Sequence, residues 1–390
     1  MKLKSIPEDF VVAEISDFTP DAAGRFFVYE LTKRSLATLE ALSIIARKSG
    51  MRAKDLSAAG LKDKHGLTTQ LFSSTKALRT DVDDDRVTLR LVGKSTDKLT
   101  AGTILGNRFE ITLRHLNARD VEVLPRNIDE IKRNGVPNYY DNQRFGGIAH
   151  GQGFIAKALV RGDFEEALRL HMAVPHRKQN MTDKQNRRLA AKHWGDWDTL
   201  HKLMRNAPER ALVAYLKNHP DDWAGCFERI TPSLRKLFVA AYQSYLFNET
   251  LRRLIAAQGL DVIETPNKAG VLSFWRELPP DILDVWTKRE LPLLGPGTRI
   301  DEHATVEAHL NATLQAEGIT LEQLMLDGLK RTSFSSAKRS ALVFPHDFQA
   351  SPLVEDELNE GSSKLTVKFD LPRGSFATIV TRRLVLREDD

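Results

Sequence analysis

Two textures alternate along the chain. Up to about residue 116, apolar and polar positions exchange over short runs: "FVVAEIS", "RFFVYELTK", "LTTQLFSS", "RVTLRLVG" and "NRFEITLR". Val87, Leu89 and Leu91 share one face of the fourth run, and Phe109, Ile111 and Leu113 one face of the fifth, the period-two pattern of half-buried strands. Between them the period lengthens. The segment "ATLEALSIIARKSG" predicts an amphipathic helix with Gly50 as its C-cap, and a second helix is expected near Asp120 to Arg133. From about Gly151 long helical patterns take over, including "GFIAKALVRGDFEEALRLHM" and "PSLRKLFVAAYQSYLFNETLRRLIAAQ"; "KAGVLSFWRELP" and "LPLLGPGTRI" read as loops or short strands. After about Arg331 strands return: "SALVFP", "KLTVKFDLP" with Leu365, Val367, Phe369 and Leu371 in strict alternation, and "SFATIVTRRLVL" as a final strand after a turn at Gly374. This order predicts an α+β chain in which a sheet domain, residues 1–150 and 331–390, is interrupted by a mostly helical domain, 151–330.

Length agrees, because 390 residues exceed what one core usually organises. With 41% hydrophobic and 28% charged residues, the chain can bury substantial cores and has the composition of a globular protein. No run approaches the roughly 18 apolar residues of a membrane span. The opening "MKLKSIPEDF" lacks the apolar stretch of a secretory signal, so a cytoplasmic location is expected. Cys226 is the only cysteine, which excludes an intramolecular disulfide and any cysteine-cluster metal centre. An all-histidine or carboxylate metal site stays open but has no spacing to recommend it: His303 and His309, for example, are six apart and so miss a common helix face.

Net charge is only +5. Its distribution is more telling, because from His176 to Trp194 ("HRKQNMTDKQNRRLAAKHW") six Lys and Arg residues face a single acid, Asp183. Such a stretch is either a solvated helix face or a phosphate-binding patch.

Two segments carry candidate chemistry. In "GLKDKHGLTTQ", Asp63 lies between Lys62 and Lys64 inside a glycine-fenced loop. Taken alone this is a turn. If the loop is extended, the two lysines project away from Asp63, and a useful cationic partner must come from elsewhere. In "GVPNYYDNQRFGG", Asn138, Tyr139, Tyr140, Asn142, Gln143, Arg144 and Phe145 crowd into a short loop-like stretch. These side chains suit either a domain seam or the grip on an unstacked RNA base, with an aromatic face for its plane and amides for its edge.

Together with "KSIPEDFVVAE", "YQSYLFN" and "LPRGSFATIVTRRL", these segments in this order resemble the TruD-type tRNA pseudouridine synthase family over nearly the whole chain. The resemblance implies a pseudouridine synthase-type catalytic domain with a mixed, largely antiparallel sheet, split by a family-specific insertion. It implies conversion of uridine, typically uridine 13 of tRNA, to pseudouridine by a cytoplasmic enzyme, without metal or organic cofactor, and we expect a monomer. Carried over, the essential carboxylate falls on Asp63 and the basic residue beside it on Lys4. Asn138 matches the motif asparagine, placing loop or base, and Tyr140 the aromatic that packs on the target base, where the family usually has phenylalanine followed by glycine rather than Tyr140 and Asp141. Phe10 and Glu14 match the first motif, Phe10 as a packing residue or a substrate contact. Arg144 and Phe145 are expected to stabilise their loop, and Phe238, Tyr242 and Tyr245, at helical spacing, to be core. Arg383 stands where relatives often carry glutamate. The rival readings are an RNA-binding protein of the same fold without catalysis, and an RNA methyltransferase, for which "GQGF" and "GPGT" are poor cofactor loops.

Overall fold

The computed structural model describes residues 1–82, 84–145, 152–176 and 179–388. Arg177 and Lys178 of the basic stretch, Gly146 and Gly147 of the aromatic motif, and the expected break at 150/151 lie outside them.

The described residues form two compact units. The first, Met1–Val136 with Val343–Asp390, is built on a nine-stranded sheet. Its strands are β1 (Phe10–Ser16), β2 (Phe26–Arg34), β3 (Leu56–Ala58), β4 (Leu67–Ser74), β5 (Val87–Ser95), β6 (Ile104–Leu116), β7 (His346–Ala350), β8 (Val354–Glu355) and β9 (Ser363–Pro372). They run in the order β7-β9-β6-β1-β4-β2-β5, with β8 beside β9 and β3 beside β4. Only β1 and β4 pair in parallel, in register from Val11 and Leu67; the other ladders are antiparallel. The expected mixed, largely antiparallel sheet is therefore present.

Helix α1 (Thr38–Lys48) covers one part of the sheet. Its start is closed by Glu40, which accepts from the Ala37 amide at 3.0 Å, and Gly50 follows its end with φ of +63°. Leu42, Ile45 and Ala46 pack with Tyr29, Leu31 and Phe72 of the strands. Helix α2 (Ala118–Asn134) begins with a reciprocal cap, Asn117 and Asp120 each bonding the other's amide at 2.9 and 3.1 Å.

One expectation fails here. After β9 and the Gly374 turn the chain forms helix α3 (Ala377–Leu384), not a strand. Ala377, Ile379, Val380, Thr381, Arg383 and Leu384 are buried, Thr378 and Arg382 lie part-exposed one turn apart, and packing against α2 decides the conformation. Asn127 of α2 donates to the carbonyls of Leu384 and Leu386, both at 2.9 Å, and satisfies the helix end. Arg383 pairs with the buried Glu130, so a cation at this position does have a carboxylate to meet.

The second unit, Pro137–Leu342, is mainly helical, with the hairpin Val262–Asn267/Gly270–Trp275 where the sequence indicated loops or short strands. Its limits differ from the expected 151–330, because the segment after Val136 is fastened to later parts of the same unit. The Asn138 amide donates to Ala341 at 2.8 Å, and the Tyr139 hydroxyl to Ser273 at 3.2 Å. Phe238 and Tyr242 are buried in the long helix Pro232–Ala256. The hydroxyls of Tyr242 and Tyr245 both donate to Glu317, at 3.0 and 2.9 Å.

Candidate active site

The loop between β3 and β4 carries Asp63. Its neighbours diverge as an extended backbone requires: Lys62 pairs with Glu14 at 2.8 Å and donates to Asn107 at 2.6 Å, whereas Lys64 turns outward to Glu40 at 3.1 Å. Both flanking ammoniums are engaged by other carboxylates.

Lys4 does. Its Nζ lies 2.6 Å from Asp63 Oδ2, a charge-assisted hydrogen bond between residues 59 apart in sequence. The pair is neither sealed nor solvated, with side chains 17% and 27% exposed. The same ammonium sits 3.8 Å above the Phe10 ring, which is buried and packs edge-on against Phe109. Phe10 therefore acts from beneath, holding Lys4 over the carboxylate through its ring face. Lys4 has φ of +61°, a left-handed conformation that costs a non-glycine residue about 1 kcal/mol or more and persists where its surroundings over-determine it.

The loop itself is tightly fastened. Thr38 Oγ1 accepts from the Lys62 amide at 2.9 Å and donates to Gln70, whose amide group donates to the Gly60 carbonyl at 2.9 Å. The Ser35 amide donates to the Gly66 carbonyl at 3.1 Å. At Gly66 a side chain would collide with β1, since a Cβ there would lie 2.5 Å from the Phe10 carbonyl oxygen. Glu14 belongs to the same fastening, taking Lys62 on one oxygen and the Leu71 amide, at 3.3 Å, on the other.

Sequence reasoning missed one residue here. Lys33, at the end of β2, is fully buried and donates to the carbonyls of Asp63 and Leu36 at 2.7 and 2.6 Å. The signal was available: Lys33 continues the inward face of Tyr29 and Leu31, where a lysine is out of place. Burial pulls its ammonium down to about 8, Lys62 adds to this, and the Asp63 carboxylate opposes it.

In the second unit, Asn138 spends its side chain on structure. Its Nδ2 donates to the Ser340 carbonyl at 3.0 Å, and its Oδ1 accepts from Arg339 at 2.6 Å. The Tyr140 main chain is clamped by Asn248 of "YQSYLFN", which accepts from its amide at 2.9 Å and donates to its carbonyl at 2.8 Å. The Tyr140 ring is 8% exposed, with Arg339 4.1 Å over it and Phe247 edge-on at 5.5 Å. Burial lowers Arg339 to about 10, and its interaction with Tyr140 opposes this. Arg144 donates to Ser244 at 3.1 Å and Phe145 is buried against Phe154, both loop-stabilising contacts. In the basic stretch Arg187 is also structural, buried and donating to the Val174 carbonyl at 3.2 Å, which leaves Arg188 and Lys192 as its exposed cations among the described residues.

A mixed sheet with a lysine-paired, half-accessible carboxylate on the loop entering its one parallel ladder defines a class of site suited to carboxylate chemistry. Comparison with known proteins makes the assignment specific. The family model described as tRNA pseudouridine synthase D (TruD) matches residues 1–273 and 284–384. A relative from Methanocaldococcus jannaschii named "Probable tRNA pseudouridine synthase D 2" is 34% identical over 99% of this chain and 92% of its own length. The Aquifex aeolicus protein named "tRNA pseudouridine synthase D" is 31% identical over 98% of each. A crystal structure titled "Putative tRNA pseudouridine synthase D (TruD)" from Methanosarcina mazei superposes with a TM-score of 0.73 at 29% identity, covering 98% of this chain and 93% of that one. The chain belongs to the tRNA pseudouridine synthase D family.

Proposed function

We propose that the protein isomerises uridine to pseudouridine in tRNA, at uridine 13, with Asp63 as the reacting carboxylate and Lys4 as its cationic partner. The observation that carries this reading is the 2.6 Å contact between Lys4 and Asp63 on a fastened, partly open loop. The reaction must break the bond between ribose C1′ and uracil N1, turn the base, and rejoin it through C5. A carboxylate can begin this by attacking C1′, or by taking the C2′ proton to leave a glycal. Either start needs the ionised oxygen, which the Lys4 ammonium meets at 2.6 Å and holds in one direction. The target nucleotide must leave its stack at a cost of a few kcal/mol, which phosphate contacts to exposed cations offset.

Within this reading Asn138 serves the loop rather than the base, since both ends of its amide are engaged by protein groups. Tyr140 offers a stacking surface only on the part of its ring not covered by Arg339.

The test is direct. The purified protein, given unmodified tRNA and no added cofactor, should form pseudouridine at position 13 by chemical mapping. Tight tRNA binding with no pseudouridine would favour the non-catalytic alternative. A Lys4→Met variant should bind tRNA as the parent does and turn over about 10²-fold more slowly, the usual scale for losing one preorganised charged partner; unchanged turnover would remove Lys4 from the mechanism.

A further inference from the structure

Lys33 is the least explicable residue of the first unit in packing terms. It has no solvent exposure, and its neighbours on the inward face of β2 are Tyr29 and Leu31. Burying an ammonium costs several kcal/mol unless its hydrogens are well satisfied, and an apolar side chain of similar length would fill the space without that penalty. Its hydrogen-bond partners among the described residues are main-chain carbonyls, one on the turn into α1 and the other on Asp63 itself. Thr38, Gln70 and Ser35 fasten the same loop at Lys62, Gly60 and Gly66. The Lys33 ammonium fastens the main chain at the position that bears the carboxylate.

We propose that Lys33 is a positioning residue for Asp63: by donating at once to the carbonyls of Asp63 and Leu36, it sets the height and direction from which the carboxylate meets its substrate. This rests on the proposed role of Asp63. The Asp63 side chain is then held from two ends, its oxygen by Lys4 and its backbone by Lys33, both across long sequence separations. Misplacement of a reacting group by about 1 Å can cost about 10² in rate. A loop that loses its anchor at Asp63 allows displacements of this kind without losing the RNA-binding surface.

The experiment compares wild type, Lys33→Met, Lys33→Gln and Asp63→Asn in three readouts: single-turnover pseudouridine formation, tRNA affinity, and hydrogen exchange at the amides of Gly60 to Gly66. Lys33→Met should slow the chemical step about 10²-fold, leave the tRNA Kd within about threefold of wild type, and speed exchange in the loop. Lys33→Gln, long enough to reach one carbonyl, should fall between and covers the case in which the methionine variant does not fold. Asp63→Asn should abolish chemistry with the loop amides as protected as in wild type. Equal rates and equal loop protection in wild type and the Lys33 variants would overturn the proposal, as would rates that fall only in step with the folded fraction. If wild type makes no pseudouridine yet the Lys33 variants lose loop protection, the enzymatic reading fails and the anchor stands.

Discussion

An Asp63→Asn variant is expected to make pseudouridine more than about 10⁴-fold more slowly than wild type while retaining tRNA binding. Asparagine keeps the size of the side chain and can still accept from Lys4, so the loop and its fastening survive. What it lacks is the negative oxygen, and with it both routes into the reaction, attack on C1′ and removal of the C2′ proton. Single-turnover mapping together with a binding isotherm separates the two effects. Comparable rates in the two proteins would refute Asp63 as the reacting group, and a variant that also failed to bind would point to a misfolded loop.

The second large effect is on stability. Arg114 of β6 is buried and reaches three carboxylates, Asp9 at 2.8 Å, Asp356 at 2.7 Å and Glu357 at 3.0 Å. Asp9 and Asp356 are themselves buried. An Arg114→Met substitution strands both charges, and breaking a buried pair in this way typically costs about 3–5 kcal/mol. We expect the urea midpoint of the first unit to drop accordingly at neutral pH. An unchanged midpoint would show that the two carboxylates find other partners.

The pH dependence follows from the same cluster. Burial alone would push Asp356 up; the amides of His115 and Leu358, the Asn359 side chain and Arg114 outweigh it and hold the carboxyl well below the usual range. A carboxylate lowered on folding stabilises the native state fully above its unfolded value of 3.8, and that contribution drains away as pH falls towards its native value. Wild type should therefore weaken below about pH 4. In Arg114→Met the stranded Asp356 is relieved by protonation, so the gap between the two proteins should narrow as the solution is acidified.

The effect bears on the site as well as on the sheet. Lys2 bridges the main chain of Arg114, donating and accepting at 2.7 and 3.0 Å, and Asp9 closes the short turn before β1. Lys4 lies between these two attachments. Part of the activity lost in Arg114→Met should therefore appear before global unfolding.

The strands that alternate in sequence were legible because one of their faces is buried. β5, β6 and β9 fall where period-two runs place them, β1, β2 and β4 where short β-rich runs do, and α1 and α2 where the period lengthens. The segment 377–384 reads as a strand because threonine, isoleucine and valine favour strands locally, and its part-exposed stripe, Thr378 and Arg382, is too short to mark a helix. The limits of the second unit were missed because what ties residues 137–145 to it, Asn248, Ser340 and Arg339, lies about 100 to 200 positions further on. At the candidate site, the divergence of Lys62 and Lys64 followed from backbone geometry alone. The approach of Lys4 to Asp63 did not, because no local rule links a residue ahead of β1 to one on the loop between β3 and β4; it came from the resemblance. Lys33 was legible in principle, as a charge on the wrong face of β2.

The pairing of β6 with β9 has a temporal side. Thr112 and Thr366 join hydroxyls at 2.9 Å across 254 positions of chain, with the whole second unit encoded between them. At a synthesis rate of roughly 5–20 residues per second, β6 leaves the ribosome roughly 13–50 s before the strand that will cover its edge. Throughout that interval the nascent sheet carries an open hydrogen-bonding edge and the Arg114 guanidinium lacks Asp356 and Glu357, the conditions under which chaperones are recruited and neighbouring chains pair wrongly.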